Sequence, residues 1–376
     1  MIKFFVFILF FVLGCYGKEL IEVVKVPGNV LGISPLSKAW MSADFVKLKL
    51  YPYFLVPSND KEVNSLNRDL KIKEISVKIL SDGIHVAFLF KWKDTTIDFY
   101  NMDDIDKFYD GFSVSFAKED SLHPYVHEGS ENRGVVTYVK KAKIKSMFLT
   151  DIEQEYGDFL GKNLETWKEN IFFKQLLPGR KIILEDILVH SQSMDMVYKN
   201  GYWFASLTKN LDDSDLILNR NIFAMYIGVW NGSKFQRGNI KSVTPWFLVK
   251  LNRREDGLQD SYKNEFKNAK GDISKGKKLT DENCAMCHRY RDKKEAPLFM
   301  APDLSFTGGY ASYGYMLESL LKPSKVIKRR YLRKAHPNFP WYEISKNGEI
   351  VSTMPSFDWM SDKDIEDIIS YLQTLK

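Results

Sequence analysis

Cys284-Ala285-Met286-Cys287-His288 places two thiols and an imidazole within about one helical turn. Two thiols at this spacing can reach both vinyl groups of a single porphyrin, and the adjacent imidazole then comes under its iron. CxxCH is accordingly the attachment sequence for c-type haem. Half of a zinc site is one rival, but zinc takes four ligands, and the chain has only 3 cysteines and no second pair. A disulfide oxidoreductase is another, and it needs a thioredoxin-like βαβ setting that the flanking residues do not provide. One covalent haem c is expected on Cys284 and Cys287, with His288 on its iron.

The flanking elements must position that turn. Residues 271–279 (GDISKGKKL) read as a short amphipathic helix leading into it, and Ala301-Pro302-Asp303-Leu304 follows about a dozen residues later. Met354-Pro355 comes 66 residues after His288. Ser361 and Asp364 then form a capping box for a last helix, whose Ile365, Ile368, Ile369, Leu372 and Leu375 share one face. Over residues 271–376 this succession resembles class I cytochrome c. The resemblance implies that His288 and Met354 are the axial ligands, that the Pro302 carbonyl orients His288, and that Tyr371 packs near the haem edge. Met360 stands close to Met354, and either can serve as core; the Met-Pro pair favours Met354. A His/Met iron has both axial positions filled and suits electron transfer. No activity as an enzyme is expected of the chain itself.

At 376 residues there is room for two or three domains. Hydrophobic residues at 44% and charged residues at 27% exclude a disordered, collagenous or polytopic membrane chain. Aromatics at 14% favour β-rich cores or a flat apolar ligand. The net charge of +6 is too dilute over this length to argue for nucleic acid. Residues 1–17 carry Lys3, an apolar run over 4–14 and then small residues, the pattern of a secretory signal peptide. The run is too short for the roughly 20 residues that a membrane-spanning helix needs. Cleavage after Gly17, or lipidation of Cys15 at the lipobox-like Val12-Leu13-Gly14-Cys15, are both compatible with it. Either outcome exports the chain, with the periplasm as the expected location.

From residue 71 to about 246 the apolar positions recur mostly with period two. Ile75, Val77 and Ile79 precede an Asp82-Gly83 turn, and Ile84, Val86, Phe88 and Phe90 resume the alternation. Phe112, Val114 and Phe116 repeat it, as do Trp203, Ala205 and Leu207, and Phe223, Met225, Ile227 and Val229. The expected fold is mainly β plus all-α: a β-sandwich over 18–251, a charged linker over 252–270, and a small helical cytochrome c domain over 271–376. A helical insertion is expected at about 151–174.

The stretches 200–207, 224–233 and 237–246, with 88–96 and 110–116 before them, resemble the haem-b-binding γ subunit of ethylbenzene dehydrogenase. Related γ subunits serve selenate, chlorate and dimethylsulfide enzymes of the dimethyl sulfoxide reductase family, and a fusion to cytochrome c resembles some nitrite oxidoreductase γ-type subunits. That resemblance implies a non-covalent haem b held between a Met and a Lys. Lys241 is the carried-over lysine, and it must be a neutral amine to ligate. Where the family has its Met, this chain has His127, and imidazole is itself a good haem ligand. The implied partners are the catalytic and iron–sulfur subunits of a molybdenum enzyme and a soluble or membrane cytochrome. A second reading stays open, in which the sandwich binds no haem and serves as a docking or ligand-binding module. His85 is expected on a strand surface and His336 in the loop before Met354. The basic run 322–334 is a solvated face or a steering patch for an acidic redox partner.

Overall fold

The computed structural model describes residues 20–53, 72–99, 108–117, 134–142, 172–177, 181–185, 192–212, 222–238, 240–251, 264–297, 300–325 and 342–376. The strands in chain order are β1 (Leu20–Glu22), β2 (Val24–Lys25), β3 (Val46–Lys49), β4 (Tyr51–Pro52), β5 (Glu74–Ser81), β6 (His85–Lys93), β7 (Gly111–Ala117) and β8 (Val135–Lys141). After them come β9 (Phe172–Leu177), β10 (Lys181–Glu185), β11 (Gln192–Lys199), β12 (Tyr202–Asn210), β13 (Ile222–Trp230), β14 (Ser242–Val243) and β15 (Phe247–Lys250). A nine-stranded sheet runs β1-β15-β13-β7-β8-β9-β10, with β14 paired to β13 and β4 paired to β14. A six-stranded sheet runs β11-β12-β6-β5-β2, with β3 paired to β5.

The period-two pattern explains why the two sheets face each other. Ile75, Val77 and Ile79, Val86, Phe88 and Phe90, and Trp203, Ala205 and Leu207 come from one sheet. Phe112, Val114 and Phe116 and Phe223, Met225, Ile227 and Val229 come from the other, and all lie in one buried core. Among its aromatics Phe88 meets Phe116 edge-on at 5.7 Å and Phe90 is tilted against Phe112 at 5.7 Å, geometries that add to their area burial. The expected β-sandwich is thus present. The β5–β6 hairpin turns at Gly83, whose φ of 94° requires a residue without a Cβ.

Two expectations change. The proposed helical insertion lies mostly outside the described residues, but its end, residues 172–174, is strand β9. Backbone pairing with β8, Tyr138 opposite Lys174, extends the sheet there, and an aromatic pair such as Phe172-Phe173 favours a strand. His85 is half-buried rather than free on the strand surface, with Nδ1 2.9 Å from Asp82 Oδ2. Against the upward push of burial, donors from His85, Val30 and Ile84 hold the Asp82 carboxyl down at about 2.

Three carboxylates gather at one end of the sandwich. Asp110 accepts from Trp203 Nε1, Gly232 N and Asp98 N at 2.9–3.0 Å, while Asp94 accepts both contacts from Asn231 Nδ2. Among the described residues, no group of three or more His, Cys, Asp or Glu is placed to hold a metal ion. Burial first, and then the neighbouring Asp94 and Asp98, push Asp110 up to about 7. Its neutral form is favoured in the fold, so the stability it lends is complete below about pH 4 and is lost as pH rises to about 7. Denaturant titrations across this window should show stability falling with pH, and Asp110→Asn should flatten that fall. An unchanged slope in the variant would remove Asp110 as its source.

The C-terminal part is helical: α1 (Ile273–Asn283), α2 (Thr307–Tyr310), α3 (Tyr313–Leu321) and α4 (Asp362–Leu372), with the small hairpin β16 (Tyr342–Ile344) and β17 (Ile350–Ser352) before α4. Asp272 caps α1 and Ser361 caps α4, where Asp364 N donates to Ser361 Oγ at 3.2 Å. The expected apolar face of α4 is buried with Tyr290, Tyr310, Met316, Leu320 and Phe357. Helices α1 and α4 cross at Gly276, where a Cβ would lie 1.9 Å from the Asp367 carbonyl oxygen and 3.1 Å from Tyr371 Cβ.

The helical domain rests on the sandwich. A Cβ on Gly309 would lie 2.3 Å from the Tyr51 ring. Phe266 joins the cluster of Tyr53, Tyr226 and Trp246 on the outer side of the nine-stranded sheet, and the buried Glu265 accepts from Ser312 Oγ. The end of the stretch read as a linker is therefore packed; residues 252–263 lie outside the described residues. No described helix is long and apolar enough to cross a membrane.

Candidate functional site

Helix α1 runs directly into the thiol turn. Cys284 N donates to Thr280 O at 2.8 Å, and Cys287 N and His288 N both donate to Cys284 O, at 3.1 and 2.8 Å. This winding sets Cys284, Cys287 and His288 on a single turn, and neither thiol is in a disulfide. Burial, then the adjacent Cys287 and Asp281, push the Cys284 thiol up to about 12. Burial thus keeps this thiol neutral, which makes it a poor nucleophile for disulfide exchange.

Burial also pushes the His288 pKa down, against its hydrogen bond to Pro302, and so favours the neutral ring. Nδ1 lies 2.7 Å from the Pro302 carbonyl oxygen and donates to it. With Nδ1 protonated, Nε2 keeps the lone pair that a metal would need. The Pro302 segment is held in turn by Leu304 N, which donates to Arg289 O at 2.7 Å. Met354 follows the β16–β17 hairpin, with its N donating to Ser352 Oγ at 3.1 Å. Met354 and Met360 are both partly buried against the helical core. Tyr371 is buried at the α1–α4 crossing, its ring 6.3 Å from that of Tyr290 and nearly perpendicular to it. Tyr290, which donates to Asp281 at 2.8 Å, is a supporting residue that no motif announces.

These residues fit a c-type haem: two thiols for attachment, an oriented neutral imidazole, and an apolar helical core against which Met354 and Met360 pack. The second carried-over site is less complete. Lys241 is 8% exposed, and its Nζ lies 4.7 Å from the Tyr53 ring centroid and 4.9 Å from that of Trp230. Two ring faces suit a cation, whereas an iron ligand needs a free lone pair. His127 and His336 lie outside the described residues, as do positions 326–334 of the basic run. In the described part of that run, Lys325 is paired with Glu318 at 2.6 Å.

No curated protein matches this chain. Two solved structures resemble the larger part of the chain. A carbohydrate binding module family 9 from Caldicellulosiruptor kristjanssonii in complex with glucose is 11% identical, covering 64% of this chain and 100% of its own, with a TM-score of 0.33. A putative carbohydrate-binding protein from Bacteroides uniformis is 8% identical over 63% of this chain and 100% of its own, again with a TM-score of 0.33. At such scores these likenesses carry no argument about function. Residues 273–376 match the family described as Cytochrome c. Helix α1, the CxxCH turn and helix α4 all fall within those residues, and the C-terminal part of the chain is a cytochrome c domain.

Proposed function

We propose that the protein is an exported electron carrier with one covalent haem c, whose haem domain is carried on a haem-free β-sandwich that docks a partner. The observation that carries the redox part is the thiol turn with His288 Nδ1 held 2.7 Å from Pro302 O. Bound there, the haem supplies one-electron iron chemistry. The chain's own residues do the rest. Cys284 and Cys287 would anchor the group, Pro302 fixes the imidazole tautomer that leaves Nε2 free for its iron, and the Met354 sulfur would be the further iron ligand. The aromatic and aliphatic residues around α4 exclude water. A haem held by both His288 and Met354 would have no open position for a substrate, which would suit it to electron transfer.

The docking part rests on the sandwich core, which is filled by its own aromatics, and on Lys241, which faces two rings. The buried position of Lys241 also sustains a second reading. In it the sandwich holds haem b, with His127 opposite, and relays electrons between a molybdenum enzyme of the dimethyl sulfoxide reductase family and a periplasmic carrier. A pyridine haemochrome spectrum of the mature protein, taken before and after acid–acetone extraction, separates the two readings. One covalent haem and none extractable is the expected result. An extractable haem that disappears in Lys241→Ala would establish the relay instead. Cell fractionation tests export, and mass spectrometry of the mature N-terminus decides between cleavage after Gly17 and lipidation of Cys15.

A further inference from the structure

The outer face of the six-stranded sheet is divided in two. Residues 26–43 cover one half, where Val30, Trp40 and Ala43 pack on Leu80, Ala87 and Leu89. Among the described residues nothing covers the other half, and strand register places its side chains together. Phe204 stands opposite both Val197 and Lys91, Lys91 opposite Ser76, and Ser76 opposite Lys47. In the next row Lys199 faces Tyr202, Tyr202 faces Lys93, and Lys49 faces Glu74. Six lysines, Lys47, Lys49, Lys78, Lys91, Lys93 and Lys199, thus share a face with the two carboxylates Glu74 and Asp195. For a chain of net charge +6 this is a marked concentration.

The rings on this face form a floor beneath the charges. Lys91 Nζ lies over Tyr202 at 4.4 Å, Phe204 at 5.4 Å and Phe45 at 5.6 Å. Lys78 Nζ lies over Phe45 at 4.4 Å and donates to Trp40 O at 2.8 Å. These contacts fix where the ammonium groups stand, so less conformational entropy is lost when they are engaged.

We propose that this half-face is the docking surface of the sandwich and that it takes a carboxylate-rich polypeptide surface. The proposal rests on the docking reading above and deepens it. Charge complementarity selects an acidic partner. The capping lysines select among acidic partners: they close the ring faces to hydrocarbon and to stacked sugar rings, and they present positive charge at fixed positions. Side-chain carboxylates held on a folded or extended polypeptide match such a pattern.

The test uses the full-length holoprotein and poly-L-glutamate as the probe, titrated by calorimetry at low and at raised salt. Binding that weakens with salt is expected. Lys78→Glu/Lys91→Glu should weaken it at least tenfold, as should the exposed pair Lys93→Glu/Lys199→Glu, which leaves the aromatic floor untouched. Lys78→Arg/Lys91→Arg should retain it. Lys346→Glu/Lys363→Glu, an equal charge change on the cytochrome domain, should leave it nearly unchanged. An equal loss in that control would overturn the proposal, because the attraction would then be that of net charge alone. Tighter binding of phosphatidylglycerol vesicles or of polygalacturonate than of polyglutamate, lost in the same lysine variants, would overturn it in favour of a lipid or a saccharide. Haem stoichiometry is independent of all these outcomes, so failure of this surface and failure of the single-haem reading are told apart.

Discussion

Gly276→Val is expected to unfold the cytochrome domain. The position at which a Cβ would stand is already filled by the main chain of α4, with the Asp367 carbonyl oxygen 1.9 Å away and its carbon 2.5 Å away. A flexible side chain can move aside, but here the obstacle is backbone within a helix. The two helices would have to separate, exposing Ile368, Ile369 and Tyr371, which are now almost wholly buried. Forced overpacking of a core usually costs about 1–3 kcal/mol. Displacement of a whole helix should exceed that, reaching the range above about 4 kcal/mol that marks exceptional substitutions. Loss of near-ultraviolet dichroism and a collapse in the yield of covalently attached haem would report it. Lys277→Ala, one residue along on the exposed side of α1, should leave both signals intact. A Gly276→Val protein that melts within a few degrees of the parent would show that the crossing is looser than described.

The next largest effect is expected at Met354. Removing its sulfur in Met354→Ala should open the second axial position, abolish the sulfur-to-iron absorption band and admit carbon monoxide to the ferrous protein. The potential should fall by a sizeable part of the about 0.8 V that axial ligands command, on the order of 0.2 V. Met360→Leu should do none of this, because its role is to fill the core beside Phe357. Parallel redox titrations of the two variants decide the assignment. If Met360→Leu loses the band and Met354→Ala retains it, the sulfur ligand is Met360.

What could be read from the amino-acid order was whatever depends on near neighbours. The thiol turn needs five consecutive residues, and the facing sheets need only an alternation that repeats along each strand. Ser361 as a cap and the apolar face of α4 are likewise local. The rest depends on partners far apart in the chain. Nothing near Gly276 tells that Asp367 fills the space beside it. Asp94, Asp110 and Asn231 come together only when β6, β7 and β13 meet at one end of the sandwich. Charge made 264–270 look like a linker, although Phe266 in its midst is buried, because a single aromatic among lysines leaves no periodic signal. Lys241 could be singled out by resemblance, but the two rings that face its amine come from Tyr53 and Trp230, which no spacing rule connects to it.

The seating of the helical domain on the sandwich, through Gly309 on Tyr51 and through Phe266, bears on how electrons leave the protein. A carrier swinging on a flexible tether searches a volume, and its delivery rate follows the effective concentration that the tether sets. A carrier bolted to its base does not search. It presents one fixed aspect, and the orientational cost of meeting falls on the encounter with the partner. On the docking reading proposed above, a partner seated on the sandwich would find the redox group at one distance and one angle. That distance is written into the packing of Tyr51, Phe266 and Glu265 and does not depend on the length of the chain between the domains.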